Sequence, residues 1–141
     1  MTHPPLKLDA AGVNAVLFEA FPEATADTMA LVQSVEPGRM LLKRAYGPGL
    51  LRPGGIISGP TLMTVADTSA YALVLAHIGD QKMAVTSSLV INFLRAAKAG
   101  DIYAEVLMLR LGRRMAVTEV RLWTEGPDRL AAQATLTYAL P

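Results

Sequence analysis

Apolar and polar positions along this chain follow two rhythms, one of period near 3.6 and one of period 2. The helical rhythm appears first after Asp9, a suitable N-cap, and runs to about Ala20, where Pro22 stops it. Two strand-like runs follow, Met29–Val35 and Arg39–Tyr46, and Glu36-Pro37-Gly38 between them predicts a hairpin turn. From Gly47 to Gly59 the residues Pro48, Gly49, Pro53, Gly54 and Gly55 predict loop without regular structure. A long helix then starts near Pro60, a residue favoured at the first helical position, and runs to about Ile78, with Gly79 as its stop. Four strand-like runs close the chain: Met83–Leu94, Ile102–Leu111, Met115–Trp123 and Leu130–Ala139. The turns Ala99-Gly100-Asp101, Gly112-Arg113 and Gly126-Pro127-Asp128 suit an antiparallel meander. In the last run Leu130, Ala132, Ala134, Leu136 and Tyr138 point one way, and Gln133, Thr135 and Thr137 the other.

The long helix sets the architecture. Leu62, Met63, Val65, Ala66, Ala70, Leu73, Val74 and Leu75 make it apolar nearly all round, so most of its faces must be buried. A curved antiparallel sheet wrapped around one helix meets that need, which gives an α+β fold. The 141 residues fit one domain, 1–141, with one sizeable core.

Composition removes several function classes. With 52% hydrophobic and 18% charged residues the chain is expected to fold. A net charge of +1 gives no signal for nucleic-acid binding. The lack of cysteine excludes disulfides, a thiol nucleophile and cysteine metal sites. The only histidines, His3 and His77, lie far apart, so no metal site is expected; His77, near a helix end, reads as a favourable cation against the helix dipole. No secretory signal pattern is visible, and the apolar stretch Leu62–Ala76 is short against the roughly 20 residues of a membrane span. A cytoplasmic protein that does not enter membranes is the expectation.

Asp67 is the only charged residue between Thr61 and Ala76. It is an aspartate on an exposed edge, or one capped by a local hydroxyl such as Thr64 or Thr68, or else a partly buried carboxylate at a cleft, acting as base or nucleophile. The segment Gly55-Ile56-Ile57-Ser58-Gly59-Pro60 leads into the same helix. Unpaired N–H groups at a helix start can hold an anion or a developing oxyanion, and with Pro60 lacking an N–H the donors are Gly59 and Thr61. Gly59 and Asp67 are eight residues apart on the helix, about 12 Å at 1.5 Å per residue. If both act on one reacting group, they come from different subunits.

These segments resemble the hot-dog thioesterases, in particular the phenylacetate-pathway (PaaI-like) group. The similarity runs from about Leu50 to the C-terminus through Gly55-Ile56-Ile57-Ser58-Gly59-Pro60, Val65-Ala66-Asp67-Thr68, Ile91-Asn92-Phe93-Leu94-Arg95-Ala96-Ala97-Lys98-Ala99-Gly100, Gly112-Arg113-Arg114 and Thr137-Tyr138. The resemblance implies a hot-dog fold, a homodimer that often pairs into a homotetramer, active sites at the subunit interface, and hydrolysis of an acyl-CoA. It implies that Asp67 activates water or attacks the thioester carbon, that the Gly59 N–H polarises the carbonyl, and that Thr86 stands where some relatives position the water with a serine. Coenzyme A enters only as part of the substrate, with no separate cofactor; Arg113, Arg114 and Arg95 are candidates for its phosphates, beside Lys98. Three positions depart from the family pattern: Ser58 replaces its histidine, Pro60 its second glycine, and Arg52 an asparagine six residues before the histidine position. Ser58 can still offer a hydrogen bond, and Arg52 either meets a ligand carboxylate or phosphate or lies in solvent. A hot-dog protein that binds an acyl-CoA or small acid without cleaving it is the alternative.

Overall fold

The computed structural model describes residues 3–141. Helix α1 spans Ala10–Ala20, and the Asp9 side chain caps it by accepting from the Gly12 N–H at 2.8 Å. Strands β1 (Leu31–Glu36) and β2 (Arg39–Arg44) form the predicted hairpin, with Gly38 at its turn. Gly38 has φ +81°, a conformation that favours glycine, and a Cβ there would fall 2.2 Å from the His3 ring, which would have to move. The stretch expected to be loop contains a short helical turn, Pro48–Leu50, and a two-stranded hairpin of β3 (Leu51–Arg52) and β4 (Ile56–Ile57). Gly54 and Gly55, both at positive φ, turn that hairpin: residues read as breakers act as its turn.

Helix α2 spans Gly59–Ile78. Its second half, Ser69 to His77, is buried on every side, whereas its first half shows one exposed stripe through Pro60, Met63 and Thr64 to the half-buried Asp67 and Thr68. Met63, one of the apolar residues of this helix, is 40% exposed on that stripe. At 20 residues α2 is long enough to cross a bilayer, but 67% of its apolar window is buried within the protein.

Strands β5 (Val85–Phe93), β6 (Ile102–Leu111), β7 (Met115–Trp123) and β8 (Ala132–Ala139) complete one antiparallel sheet in the order β1-β2-β6-β7-β8-β5. The expected four-strand meander holds for β6-β7-β8 but not for β5, which pairs only with β8 while β6 pairs with β2. Residues 94–101 are therefore a crossover, not a hairpin turn. Ile57 donates to the Ala97 carbonyl at 2.9 Å and Ile56 bridges Lys98, which ties the crossover to β4 at the start of α2.

The two sheet edges differ. On β1, the Asn14 amide of α1 accepts the Val32 N–H at 2.8 Å and donates to the Val32 carbonyl at 3.3 Å, which covers the edge. On β5, no hydrogen bond from another element reaches the outer edge among the described residues, and Val85, Val90, Phe93 and Leu94 are exposed.

His77 differs from its expected role. It is 3% exposed, and its Nε2 accepts the Gly38 N–H at 3.1 Å, so the ring is neutral with its proton on Nδ1. Burial, and next the neighbouring His3, hold its pKa below the ordinary 6.5. It is a buried acceptor that fixes the β1–β2 turn, not a cation at the helix end. A folded-state pKa below the unfolded one means the unfolded chain binds the proton first, so this contribution is full above pH 6.5 and declines as pH falls below it. Denaturant titrations between pH 7.5 and 5 should show the native protein losing stability across that window, and His77→Gln, whose amide oxygen can take the same N–H, should lose less.

Candidate active site

Asp67 lies midway along α2, half-buried, facing the start of β5. Its Oδ1 accepts two hydrogen bonds, from Thr86 Oγ1 at 2.7 Å and from the Tyr138 hydroxyl at 2.5 Å. The Tyr138 hydroxyl also lies 3.0 Å from the Asp67 main-chain oxygen. Oδ2 has no partner among the described residues. The local cap considered from sequence is not formed, since Thr64 bonds back to the Pro60 carbonyl at 3.1 Å.

A bulge in β5 makes this arrangement. Phe93, Ile91 and Leu89 stand opposite the inward-facing Ala132, Ala134 and Leu136 of β8. Strict alternation would next turn Ser87 inward. The register instead shifts between Thr86 and Ser88, so Thr86 takes the inward place, opposite Tyr138. Tyr138 is a site residue beyond those expected from the sequence. One signal was available: a tyrosine on the buried face of a cleanly alternating strand needs a partner for its hydroxyl.

Asp67 lines a cavity of about 490 Å³ together with Phe21, Tyr71, Val85, Thr86 and Tyr138. Glu19 and Lys82 pair across its rim at 3.0 Å. Tyr71 stacks on Tyr138 with ring centres 5.9 Å apart and meets Phe21 edge-on at 6.0 Å, so one wall is aromatic. Burial, and next the Asp67 carboxylate, push the Tyr138 phenol well above the ordinary range, and it stays a donor.

Gly59 belongs to a separate depression of about 480 Å³ at the start of α2, with Arg52, Ile56, Leu62, Phe93 and Arg95. The Gly59 N–H finds no acceptor among the described residues. A Cβ at Gly59 would meet the Phe93 ring at 3.4 Å, so that ring lies against the side-chain face of the glycine. Ser58 is the N-cap: its Oγ accepts the Thr61 N–H at 3.2 Å and lies 2.7 Å from Thr61 Oγ1. Because Thr61 Oγ1 donates to the Leu50 carbonyl at 3.2 Å, the Ser58 proton goes to Thr61. The Ser58 hydroxyl thus holds the helix start.

The basic residues fall into two groups. Arg95 and Arg52 flank Gly59, while Arg113 and Arg114 occupy the β6–β7 turn at the other end of α2. There Arg113 borders a third depression with Lys7, His77 and Gln81. That turn lies near the start of β5, since Met115 and Val85 both pair with Ala139. None of these four arginines has a carboxylate partner among the described residues. Within one chain, then, the fold joins Asp67 to Thr86 and Gly59 to Ser58 and Arg95, and keeps the two sets apart.

Comparison with known proteins agrees with this architecture. The family model of the thioesterase superfamily matches residues 54–131. A crystal structure of a "putative thioesterase" from Silicibacter sp. TM1040 superposes with a TM-score of 0.86 at 36% identity, covering 96% of this chain and 94% of that one. A phenylacetic acid degradation-related "putative thioesterase" from Ralstonia eutropha JMP134 gives a TM-score of 0.75 at 25% identity, over 90% of this chain and all of that one (100%). A "putative esterase" of Saccharolobus solfataricus is 29% identical over 109 residues, 77% of this chain and 71% of that protein.

The capping geometry sets one stability expectation. Ser58→Ala removes the acceptor of the Thr61 N–H and should destabilise the protein by about 1 kcal/mol in denaturant titration; an unchanged midpoint would mean that the hydroxyl does not hold the helix start.

Proposed function

The chain belongs to the thioesterase superfamily, with a hot-dog fold and PaaI-like structural neighbours, and is a thioester hydrolase; on that premise we propose that its substrate is an acyl-CoA, cleaved at a site shared between two subunits. The observation that carries this reading is the Asp67 carboxylate, held through Oδ1 by two donors, with Oδ2 unpartnered among the described residues, in the lining of a cavity of about 490 Å³.

Asp67 and Gly59 lie in different depressions, but both depressions open along β5, the Thr86 end beside Asp67 and the Phe93 end beside Gly59. The outer edge of β5 is uncovered, and antiparallel pairing of this strand with its own copy about Leu89–Val90 would satisfy it. That pairing lays the Thr86 end of one strand beside the Phe93 end of the other. Asp67 then faces Gly59 of the partner subunit across one composite cleft, and the two-fold axis generates two such clefts. The exposed Val85, Phe93 and Leu94 lie along this seam.

In the composite site the thioester carbonyl oxygen points at the free Gly59 N–H, which stabilises the oxyanion; one such donor is worth about 3–4 kcal/mol of barrier. Asp67 accepts a proton from water as the water oxygen bonds to the acyl carbon. Collapse of the tetrahedral adduct breaks the C–S bond, and the thiolate leaves as coenzyme A, recovering the proton through Asp67. Direct attack by Oδ2 gives an anhydride that water then opens, with the same products. Arg95 and Arg52 on the Gly59 side, and Arg113 and Arg114 on the Asp67 side, are unpaired cations suited to the phosphates of coenzyme A.

Thiol release from a panel of short, medium and aromatic acyl-CoAs should be detectable with the native protein and should fall at least about 100-fold in Asp67→Asn that remains folded and associated. Binding of acyl-CoA without release on any member of the panel would support the non-catalytic alternative, in which Ser58, committed to capping, replaces the family histidine. Light scattering should give a mass of two or four copies of the 15.0 kDa chain, and specific activity should drop on dilution wherever the copies dissociate. A monomer with full activity would rule out the shared site.

A further inference from the structure

The hydrolytic scheme needs a carboxylate at position 67, but it does not by itself require a tyrosine opposite Thr86. We propose that Tyr138 is the positioning residue of Asp67: with Thr86 it holds Oδ1 and so fixes Oδ2 as the oxygen that meets water or the thioester. This rests on the reading of Asp67 as the reactive carboxylate.

Three observations carry the inference. Tyr138 is 3% exposed, so its hydroxyl must find a partner inside the protein, and it donates to Asp67, with the Thr86 hydroxyl beside it. Its ring cannot swing away, because it stacks on Tyr71, which is itself tied through its hydroxyl to the Lys82 carbonyl at 2.9 Å. Thr86 and Tyr138 are direct cross-strand partners, so two neighbouring positions of the sheet aim their hydroxyls at one oxygen of the helix. Rotating the carboxylate to exchange its oxygens would break or remake both bonds at once.

The ionisable groups facing Asp67 are Tyr138 from β8 and Tyr71 from α2, with Lys82 of the α2–β5 connection and Glu19 of α1 at the rim. Lys82 pairs with Glu19 and Asp80, which leaves Tyr138 as the ionisable side chain bonded directly to the carboxylate.

Tyr138→Phe keeps the ring and removes only the donor. In the associated protein it should lower kcat about ten-fold with KM within about two-fold. Thr86→Val should lower kcat in the same way. A folded, associated Tyr138→Phe with unchanged kcat would overturn the proposal while leaving Asp67→Asn to decide the function. If the native protein cleaves no acyl-CoA, the crystal structure of Tyr138→Phe is the test: the Asp67 carboxylate should turn away from its native orientation, and an unmoved carboxylate would refute the anchoring.

Discussion

Burial of α2 is the constraint from which the rest of the structure follows. Leu73, Val74, Leu75 and Ala76 are four successive residues with no exposed surface, so the helix there has no outward face at all. Each large apolar side chain removed from water contributes about 1.5–3 kcal/mol, and only a surface that curves around the helix collects this on every side. The sheet supplies that surface with alternating inward residues, as in the buried Ala132, Ala134, Leu136 and Tyr138 of β8. Strand β5, at the end of the wrap, is the last to reach the helix, and along it the helix emerges. The exposed stripe of Pro60, Met63 and Thr64 ends at Asp67, so the one charged residue of the central helix sits where the wrapping stops.

At that margin one irregularity decides the chemistry. The inward positions of β5 are odd-numbered from Phe93 to Leu89, and the bulge at Ser87 switches them to Thr86 and the buried Ala84. A threonine is thereby directed at Asp67, where the unbroken alternation would have aimed Ser87. Bulges at a sheet edge re-aim side chains at the cost of a ladder position, and an edge strand tolerates this better than a central one. The catalytic proposal and the fold thus share a cause. The site forms where the sheet runs out of regular pairing partners within the chain.

Features that depend on local patterns were legible in the sequence; those that depend on long-range pairing were not. The bounds of α1, β6 and β7, the stop at Gly79 and the unusual place of Asp67 all follow from periodicity and turn residues over a few positions. The place of β5 does not, because strand order depends on which strands meet, and Ala99-Gly100-Asp101 suits a hairpin as well as the end of a crossover. The β3–β4 hairpin was hidden because each strand is two residues long, too short for any alternation to show. His77 looked like a helix-end cation because its real partner, the Gly38 N–H, is 39 positions away in the chain. Thr86 could be named from resemblance, whereas Tyr138 looked like one more core residue of an alternating strand, its hydroxyl distinguished only by where the strand lies.

The separation of Asp67 from Gly59 gives the edge strand its meaning. Eight helical residues place them about 12 Å apart, while a thioester carbon and its oxygen differ by little more than an ångström, so one helix cannot serve both ends of the reacting group. A second copy could supply the missing half anywhere on its surface, but few surfaces bring the start of one helix to the middle of another. Strand β5 does, because it runs from Thr86, bonded to Asp67, to Phe93, which lies against Gly59. Antiparallel self-pairing reverses that strand and puts unlike ends together. The unpaired edge and the exposed apolar side chains along it would be a liability in a lone subunit. In the proposed pair they would form the seam that assembles each site, and association and catalysis would be one property of β5.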